Sequence, residues 1–550
     1  SASIRVPEVR IVDAPRFPYR GLHLDVGRNF QGVELVGKML DVMAFYKLNR
    51  FHFHITEDEG WRIEIGPLPE LTEIGGRRGH TLTDEEHLMP SYGSGPFPGA
   101  PPGSGHYSRS EFIHILQLAH NRHIKVIPEI DVPGHARAAI KAMDARHRRL
   151  SAEGRGEEAE RFLLRDLQDE SEYRSVQGWD DNVINVCRES TFRFLETVVD
   201  DLAAMYQEAG VPLQVVHVGG DEVPEGVWES SPACQSLIER EPDLTGTEDL
   251  FHYFLRRMGR ILSERNLVLA GWEEVALMHL PDQPHASVPN PEFVKEGFRP
   301  YVWNSIWGWG GEENAYRLAN AGFPVVICNA SNFYFDLAYN RDPVEFGYDW
   351  AGFVDNRKPW EFSPFNLYAR ARFNVLGNPI HPEAYAQSSP LTDAGRSNIL
   401  GLQGQLWGEN AKNPERVEYG ALPRMLGLAE RAWAQMPDWE LVADREPRDA
   451  LQHAEWNRFA NAVGQRELPR LDHLAGGFQY RLPLPGAVVV DGALQANVEF
   501  PGLRIRYTTD GTEPTIDAPL YAAPVQVEGE VRLKSFDTRG RGSRTVIVSP

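Results

Sequence analysis

The sequence is poor in cysteine and contains no long apolar run. Its three cysteines, Cys187, Cys234 and Cys328, are spread over 550 residues, and no two of them form a CxxC pair. One disulfide is possible, but so few thiols exclude a disulfide-framework fold and argue against a thiolate zinc site. No stretch reaches the roughly 18 consecutive apolar residues of a transmembrane helix, so we expect no membrane span.

Positive charge is also scarce. Lys and Arg number 56 against 78 Asp and Glu, which gives a formal net charge of −22. A surface of that sign repels phosphate backbones and anionic headgroups, so neither nucleic acid nor an acidic membrane is expected as a partner. Residues 1–11 lack the basic segment and apolar core of a signal peptide.

Short apolar runs alternate with amphipathic segments along most of the chain. Buried parallel strands have this form because helices cover both faces of their sheet. The runs lie at 20–26, 50–56, 124–130, 213–220, 267–272, 300–305, 324–330 and 399–407. The clearest helical patterns between them lie at 33–48, 109–123, 189–210 and 248–265. This alternation predicts an α/β protein with a (β/α)₈ TIM barrel rather than a doubly wound open sheet.

Several segments that follow the predicted strands are long. They are the Gly- and Pro-rich 91–108 and the insertions near 144–182, 279–299 and 336–395. In a barrel these segments build the face that carries the active site, so we expect a walled pocket.

Composition changes near 478, where short alternating strands with Asp-Gly turn signals begin. The change separates a small β domain from the barrel. The predicted organisation is a lead-in segment at 1–17, a catalytic barrel at 18–477 and a C-terminal immunoglobulin-like β-sandwich at 478–550.

Two adjacent acids, Asp221 and Glu222, end the fourth apolar run in the sequence VVHVGGDEVPEGVW. Neighbouring side chains on a strand point to opposite faces, but Gly219 and Gly220 allow the backbone to leave extended geometry first. Both carboxylates can then face one pocket. Ordinary retaining glycosidases hold two carboxyl groups about 5–5.5 Å apart on separate strands. An adjacent pair instead suits one acid that protonates a leaving oxygen and one that orients a nucleophile supplied by the substrate.

The acid pair belongs to a series of motifs that runs through nearly the whole chain. In order they are RGLHLDVGRNF, FHFHITEDEGWR, IPEIDVPGHARAA, HVGGDE, YFDLAY with YDWAG, and LWGEN. Together they resemble glycoside hydrolase family 20, the β-N-acetylhexosaminidases, and most closely its bacterial chitobiase branch. The C-terminal IRYTTDGTEPT resembles the small β-sandwich that follows the barrel in chitobiases.

This resemblance implies an exo-acting, retaining enzyme that needs no cofactor and removes terminal GlcNAc from chitooligosaccharides, with GalNAc left open. Glu222 would act as general acid and then as base. Asp221 would bind the acetamido N–H and stabilise an oxazolinium intermediate formed by the sugar's own acetamido oxygen. The scheme needs Asp221 ionised and Glu222 protonated, a split that two close carboxylates favour. The resemblance also implies a bacterial, periplasmic or secreted protein.

The resemblance gives substrate-binding roles to further residues around the acid pair. Arg28, Asp336 and Glu409 would bind sugar hydroxyls, and Tyr334 would meet the acetamido oxygen. Asp131 and His135 would line the pocket beside the catalytic pair. Indole faces suit the C–H face of a pyranose, and the pocket walls would be Trp272, Trp303, Trp350 and Trp407.

Glu57 departs from the family pattern. The family usually has two aspartates in the second-strand motif, whereas this chain has Glu57 followed by Asp58. Glu57 takes the place of the first, sugar-binding aspartate. Its longer side chain puts discrimination between GlcNAc and GalNAc in doubt.

Two other functions compete with this one. His52 and His54 form an HxH pair that, with His135 and His217, suggests a metal-dependent amidohydrolase barrel. That pair lies on the second strand, whereas those enzymes place it on the first, and the later strand ends carry Trp, Tyr and acids. We therefore predict no metal. The other alternative, a catalytically inactive sugar-binding barrel, is opposed by the intact Asp221–Glu222 pair.

Overall fold

The protein folds around a closed barrel of parallel strands, as the sequence predicts. A computed structural model describes residues 8–280, 283–381 and 383–550, so residues 1–7 of the predicted lead-in segment lie outside the described residues. Each barrel strand is hydrogen-bonded to the barrel strands before and after it in the chain, and the last pairs with the first. The strands are β1 (Tyr19–Asp25), β2 (Arg50–His54), β3 (Lys125–Glu129), β4 (Val215–His217), β5 (Val268–Trp272), β6 (Arg299–Val302), β7 (Val325–Ile327) and β8 (Ile399–Gly404).

Helices form the outer layer, and their apolar stripes pack on the strands. The helix Leu250–Ser263, for example, buries Phe254, Leu255, Met258 and Leu262. Within the described residues, no helix is both long enough and apolar enough to cross a membrane. The longer helices are Val33–Phe45, Arg109–His120, Arg137–Ala152, Glu189–Ala209, Pro232–Arg240, Leu250–Ser263, Asn314–Ala321, Pro414–Ala421, Arg424–Trp433 and Arg445–Ala462.

The strand register places one row of polar side chains across the interior of the barrel. Asp25 on β1 pairs with His54 on β2, His54 with Glu129 on β3, and Glu129 with His217 on β4. Residues at the same height that point inward form one layer of a barrel core. The layer below the carboxyl ends of these strands is therefore charged and polar instead of aliphatic.

The C-terminal region forms two three-stranded antiparallel sheets around its own apolar core of Leu494, Ile505, Val527, Val531 and Leu533. The Asp-Gly pair at 491–492 makes the first hairpin turn, with φ of 51° and 75°, as that dipeptide predicts. Arg481 binds Glu345 of the barrel region at 2.5 Å. The strands are Gly486–Val490, Ala493–Asn497 and Val525–Gln526 in one sheet, and Arg504–Thr508, Val531–Phe536 and Val546–Val548 in the other.

Cys187 and Cys234 form a disulfide across 47 residues of sequence, and Cys328 is free and buried. Cys187 lies just before the helix Glu189–Ala209, and Cys234 lies in the helix Pro232–Arg240. The closed loop therefore contains β4 and the acid pair that follows it. The sequence allowed one disulfide, and the structure selects its two partners.

Replacing both Cys187 and Cys234 with serine is expected to lower the free energy of unfolding by about 2–4 kcal/mol, because the crosslink restricts a long loop in the unfolded chain. Urea unfolding of the oxidised protein and the double variant measures the difference. A reductant should destabilise the wild type and leave the double variant unchanged. Equal stability of oxidised and reduced wild type would contradict the prediction.

Candidate active site

The acid pair lies where β4 gives way to a loop of left-handed backbone. Gly219 and Gly220 have φ of 66° and 85°, and Glu222 itself has φ of 52°. A Cβ on Gly219 would stand 1.7 Å from Oδ1 of Asp131, so only glycine fits this position. A non-glycine residue with positive φ is uncommon, and such strain is concentrated at functional sites. β4 is shorter than its apolar run because these glycines end the extended geometry.

Both carboxylates of the pair face one pocket, because the same ring atom reaches each of them. Nε2 of His135 lies 3.3 Å from Oε2 of Glu222 and 3.9 Å from Oδ2 of Asp221. The Glu222 side chain keeps 27% of its surface exposed, against 11% for Asp221. Glu222 is thus the member of the pair that can exchange protons with a group entering from the open side.

His135 connects the acid pair to Glu57 on its other side. Nδ1 of His135 lies 2.9 Å from Oε1 of Glu57. Burial alone would lower the pKa of His135, but Glu57 and then Glu222 raise it well above the ordinary value. His135 is therefore a buried imidazolium between two carboxylates, and it fixes the position of Glu222.

Glu57 has protein partners that the sequence did not reveal. Its Oε1 lies 2.5 Å from Nη2 of Arg28, and its Oε2 accepts the backbone N–H of Asp58. Burial opposes its ionisation, but Arg28 and His135 lower the pKa of Glu57 to about 2. Besides the sugar contact predicted from its position, Glu57 fixes the Arg28 and His135 side chains relative to each other.

Arg28 is the centre of a buried group of acids at the end of β1. Nη1 lies 3.1 Å from Asp25, and Nε lies 3.5 Å from Glu409. The guanidinium carbon stands 5.0 Å from the centre of the Trp407 ring. A guanidinium held by several carboxylates has fixed N–H directions, which suits the predicted binding of sugar hydroxyls by Arg28 and Glu409.

Desolvation raises the pKa of several pocket acids. Burial raises the pKa of Asp221 to about 7, although His135 lowers it, and burial with Glu409 raises the pKa of Asp336 to about 8. Burial and then Asp221 raise the pKa of Asp131 well above its ordinary value. The implied scheme needs Asp221 ionised. The raised pKa of Asp221 shows that the protein without substrate opposes this ionisation. A substrate N–H that donates to Asp221 would lower its pKa again.

The predicted tryptophans form one continuous wall with Tyr334. Trp407 lies 5.5 Å from Trp272 and 6.2 Å from Tyr334, measured between ring centres. Trp350 lies 5.8 Å from Tyr334 and 6.2 Å from Trp303. Asp336 accepts the backbone N–H of Trp407 at 3.4 Å. Contacts therefore connect the predicted site residues into one group, and Asp131 joins it beside His135 and Asp221.

Glu129 is a structural centre that sequence reasoning missed. His54 Nδ1 lies 2.6 Å and His52 Nε2 3.0 Å from its Oε2, and His217 Nδ1 lies 2.9 Å from its Oε1. Trp272 Nε1 donates to the same carboxylate at 3.0 Å. Burial opposes ionisation, but His54 and its neighbours keep the pKa of Glu129 well below the ordinary value. The sequence did contain one signal for Glu129, since it is an acidic residue at the end of a barrel strand, as Asp221 is an acidic residue just after β4.

The same cluster bears on the metal alternative. His23, His52 and Glu129 could hold an ion by distance alone. All three are fully buried, and the histidines surround a carboxylate that already binds Trp272. A catalytic metal needs an open position for water or substrate, which such a buried group does not offer. His135, also part of that alternative, belongs to two further groups that could hold an ion by distance, one with Glu57 and Asp58 and one with Asp131 and Asp221. Its imidazolium form, held by Glu57 and Glu222, has no free lone pair for a metal.

Two other residues of the pocket lining were not foreseen. Nε1 of Trp303 donates to the Glu274 carboxyl at 3.3 Å, and burial and the neighbouring Glu273 raise the pKa of Glu274 well above its ordinary value. Burial and the charge of Glu59 raise the pKa of Tyr92, in the Gly- and Pro-rich segment 91–108, whereas Arg28 opposes them. Glu274 follows Trp272 by only two residues, whereas nothing in the sequence singles out Tyr92.

Comparison with known proteins agrees with this geometry. Residues 17–436 match the catalytic domain of glycosyl hydrolase family 20, and residues 467–545 match the chitobiase/β-hexosaminidase C-terminal domain. A β-hexosaminidase of Vibrio vulnificus is 37% identical over 99% of this chain and 64% of its own length. An N,N'-diacetylchitobiase of Vibrio harveyi is 37% identical over 97% of this chain and 63% of its own length.

A solved structure is similar as well. The exo-β-N-acetylglucosaminidase of Vibrio harveyi, in complex with N-acetylglucosamine, aligns with a TM-score of 0.64 and 34% identity. The alignment covers 86% of this chain and 60% of that protein. The chain thus spans about three-fifths of the length of these relatives.

Proposed function

The chain belongs to glycosyl hydrolase family 20, and from this premise we propose that it is an exo-acting β-N-acetylhexosaminidase that releases terminal GlcNAc from chitooligosaccharides. The observation that carries the proposal is the pair Asp221 and Glu222, which share one pocket and one partner atom in His135. The name of the Vibrio harveyi relative, N,N'-diacetylchitobiase, supports a chitobiase-like substrate.

The geometry suits catalysis assisted by the substrate. Glu222 is partly exposed on the open side of the site, so it can give a proton to the leaving oxygen and later remove one from water. Asp221, deeper in the pocket, accepts the acetamido N–H while the acetamido oxygen attacks the anomeric carbon. The bond to the leaving oxygen breaks as the oxazolinium ring closes, and water then opens that ring with retained configuration.

The direct test uses the purified chain with chitobiose and with an aryl N-acetylglucosaminide. Release of GlcNAc from both, with the β configuration of the first product seen by NMR, supports the proposal. Activity that survives chelator treatment, with metal removal verified by metal analysis, would exclude the metal-dependent alternative. A protein that binds GlcNAc without cleaving either substrate would establish the inactive sugar-binding barrel.

The raised pKa of Asp221 predicts different pH limits for two kinetic constants. In the free enzyme, protonation of Asp221 as the pH falls through about 7 should lower kcat/KM. In the complex, the acetamido N–H stabilises the ionised form, so kcat should persist to lower pH. Profiles of both constants on an aryl N-acetylglucosaminide measure the separation. Identical acid limits for kcat and kcat/KM would contradict this assignment.

We propose further that the protein works in the periplasm or outside the cell. The disulfide between Cys187 and Cys234 supports this, because disulfides persist in oxidising compartments and are rare in the cytosol. Cell fractionation of the source organism, with activity as the readout, tests the proposal. Activity confined to the cytosolic fraction would reject it.

A further inference from the structure

Aromatic rings continue outward from the pocket wall onto an exposed surface. Tyr334 is 3% exposed, Trp350 is 37% exposed, and Trp309 is 51% exposed. The Trp309 ring centre lies 5.9 Å from that of Trp350, and the two planes are tilted by 35°. Exposed aromatic patches at the rim of a pocket mark ligand-binding surfaces, and here two indoles continue the ring contacts that begin at Tyr334.

The loop that carries Trp309 is held in place. The buried Glu312 carboxylate accepts the backbone N–H groups of Gly308 and Trp309, the latter at 3.2 Å, and the Tyr385 hydroxyl at 3.1 Å. Gly308 and Gly310, on either side of Trp309, have φ of 95° and 90°, which favour glycine. The backbone that carries the indole is therefore preorganised, which lowers the ordering entropy that binding costs.

The insertion 336–395 supports this loop from the other side. The Tyr385 ring packs 5.0 Å from Trp307 and stacks on Tyr368 at 5.7 Å with planes 15° apart. Trp307 and Tyr385 thus form the base from which Trp309 projects. The sequence predicted that this long insertion would wall a pocket, but gave no role to Trp307, Trp309 or Tyr385.

We propose that Trp309 forms the contact surface for the second sugar on the leaving-group side of a chitooligosaccharide. This proposal rests on the proposed function. In an exo-acting enzyme the terminal GlcNAc occupies the pocket, and the rest of the oligomer leaves through the open side past Trp350. The spacing between the two indoles is comparable to one step along a β-1,4-linked chain, so successive pyranose rings can place their C–H faces on Trp350 and Trp309.

The test compares substrates that differ only at this position. Chitobiose ends before Trp309, whereas chitotriose reaches it. Trp309→Ala should lower kcat/KM for chitotriose about tenfold more than for chitobiose, the size of an interaction worth about 1.4 kcal/mol. The loss should lie mainly in KM, because the contact is made equally in the ground state and the transition state. Trp309→Phe should recover most of it.

Phe45→Ala is a matched control, because Phe45 is 45% exposed and ends the helix Val33–Phe45, at the barrel end opposite the pocket. It should leave the chitotriose-to-chitobiose ratio unchanged. Calorimetry with chitotriose on Glu222→Gln, with and without Trp309→Ala, measures binding without turnover. An unchanged ratio and unchanged affinity in the Trp309 variants would overturn the proposal. A wild-type chain that cleaves neither oligomer would instead reject the proposed function.

Discussion

Replacing Asp221 with asparagine is expected to lower the turnover of N-acetylglucosaminides by about 10²–10³-fold. Asparagine keeps the shape of the side chain but removes its charge. The acetamido N–H then loses an ionised acceptor, and the cationic oxazolinium ring loses its counter-charge in a pocket where the Asp221 side chain is only 11% exposed. Charge stabilisation of this kind is strongest where water is excluded, so the loss should fall on kcat.

Further experiments on the wild type and on Asp221→Asn distinguish substrate-assisted catalysis from the ordinary retaining mechanism with a protein nucleophile. If the acetamido group is the nucleophile, intact-protein mass spectrometry should detect no sugar adduct during turnover. A 2-fluoro sugar lacks the acetamido group and should fail to label the protein, whereas a GlcNAc-thiazoline should inhibit it competitively. In Asp221→Asn the acid limit of kcat/KM near pH 7 should disappear, because the group that titrates there is gone. A trapped adduct on any carboxylate would restore the ordinary retaining mechanism.

Replacing Glu222 with glutamine is expected to lower activity on chitobiose by about 10²–10⁴-fold, because the amide cannot give a proton to the leaving oxygen. The loss should be much smaller for an aryl glycoside with a good leaving group, since that oxygen departs without protonation. The ratio of the two losses is the measurement. His135 Nε2, at 3.3 Å from the Glu222 carboxylate, keeps a partner in either form of residue 222.

Glu274→Gln is a matched control for the Glu222 experiment. Its carboxyl is bound to Nε1 of Trp303 in the pocket lining and has no assigned part in proton transfer. Any loss should therefore be similar for chitobiose and the aryl glycoside. If Glu222→Gln lowered activity on both substrates by the same factor, Glu222 would not be the general acid.

Much of the fold follows from the sequence alone. All of the barrel strands lie within the predicted apolar runs or within one residue of them, because strands buried on both faces must be apolar almost throughout. The helix predicted at 189–210 is observed as Glu189–Ala209 for a similar reason, since its apolar stripe has helical period. The domain boundaries at 18–477 and 478–550 remain predictions.

The residues of the candidate site could also be named from the sequence, since short motifs carry them at strand ends. The glycines before Asp221 predicted a turn that lets both acids face one pocket, and the φ values of Gly219 and Gly220 confirm that turn. The motifs did not reveal which of these side chains contact one another. Glu57 contacts Arg28 and His135, which are distant in sequence and come together only when β1, β2 and the segment after β3 lie side by side.

Three features were decided by tertiary structure alone. The register of β1 to β4 gathers histidines around Glu129, and register depends on long-range pairing that local sequence does not specify. The raised pKa of Asp221 arises from burial, which depends on every segment around the pocket. Trp309 reaches the surface beside Trp350 because two loops from different strands meet there. The sequence by itself determined which residues are present at the strand ends, and three-dimensional packing determined which of them touch.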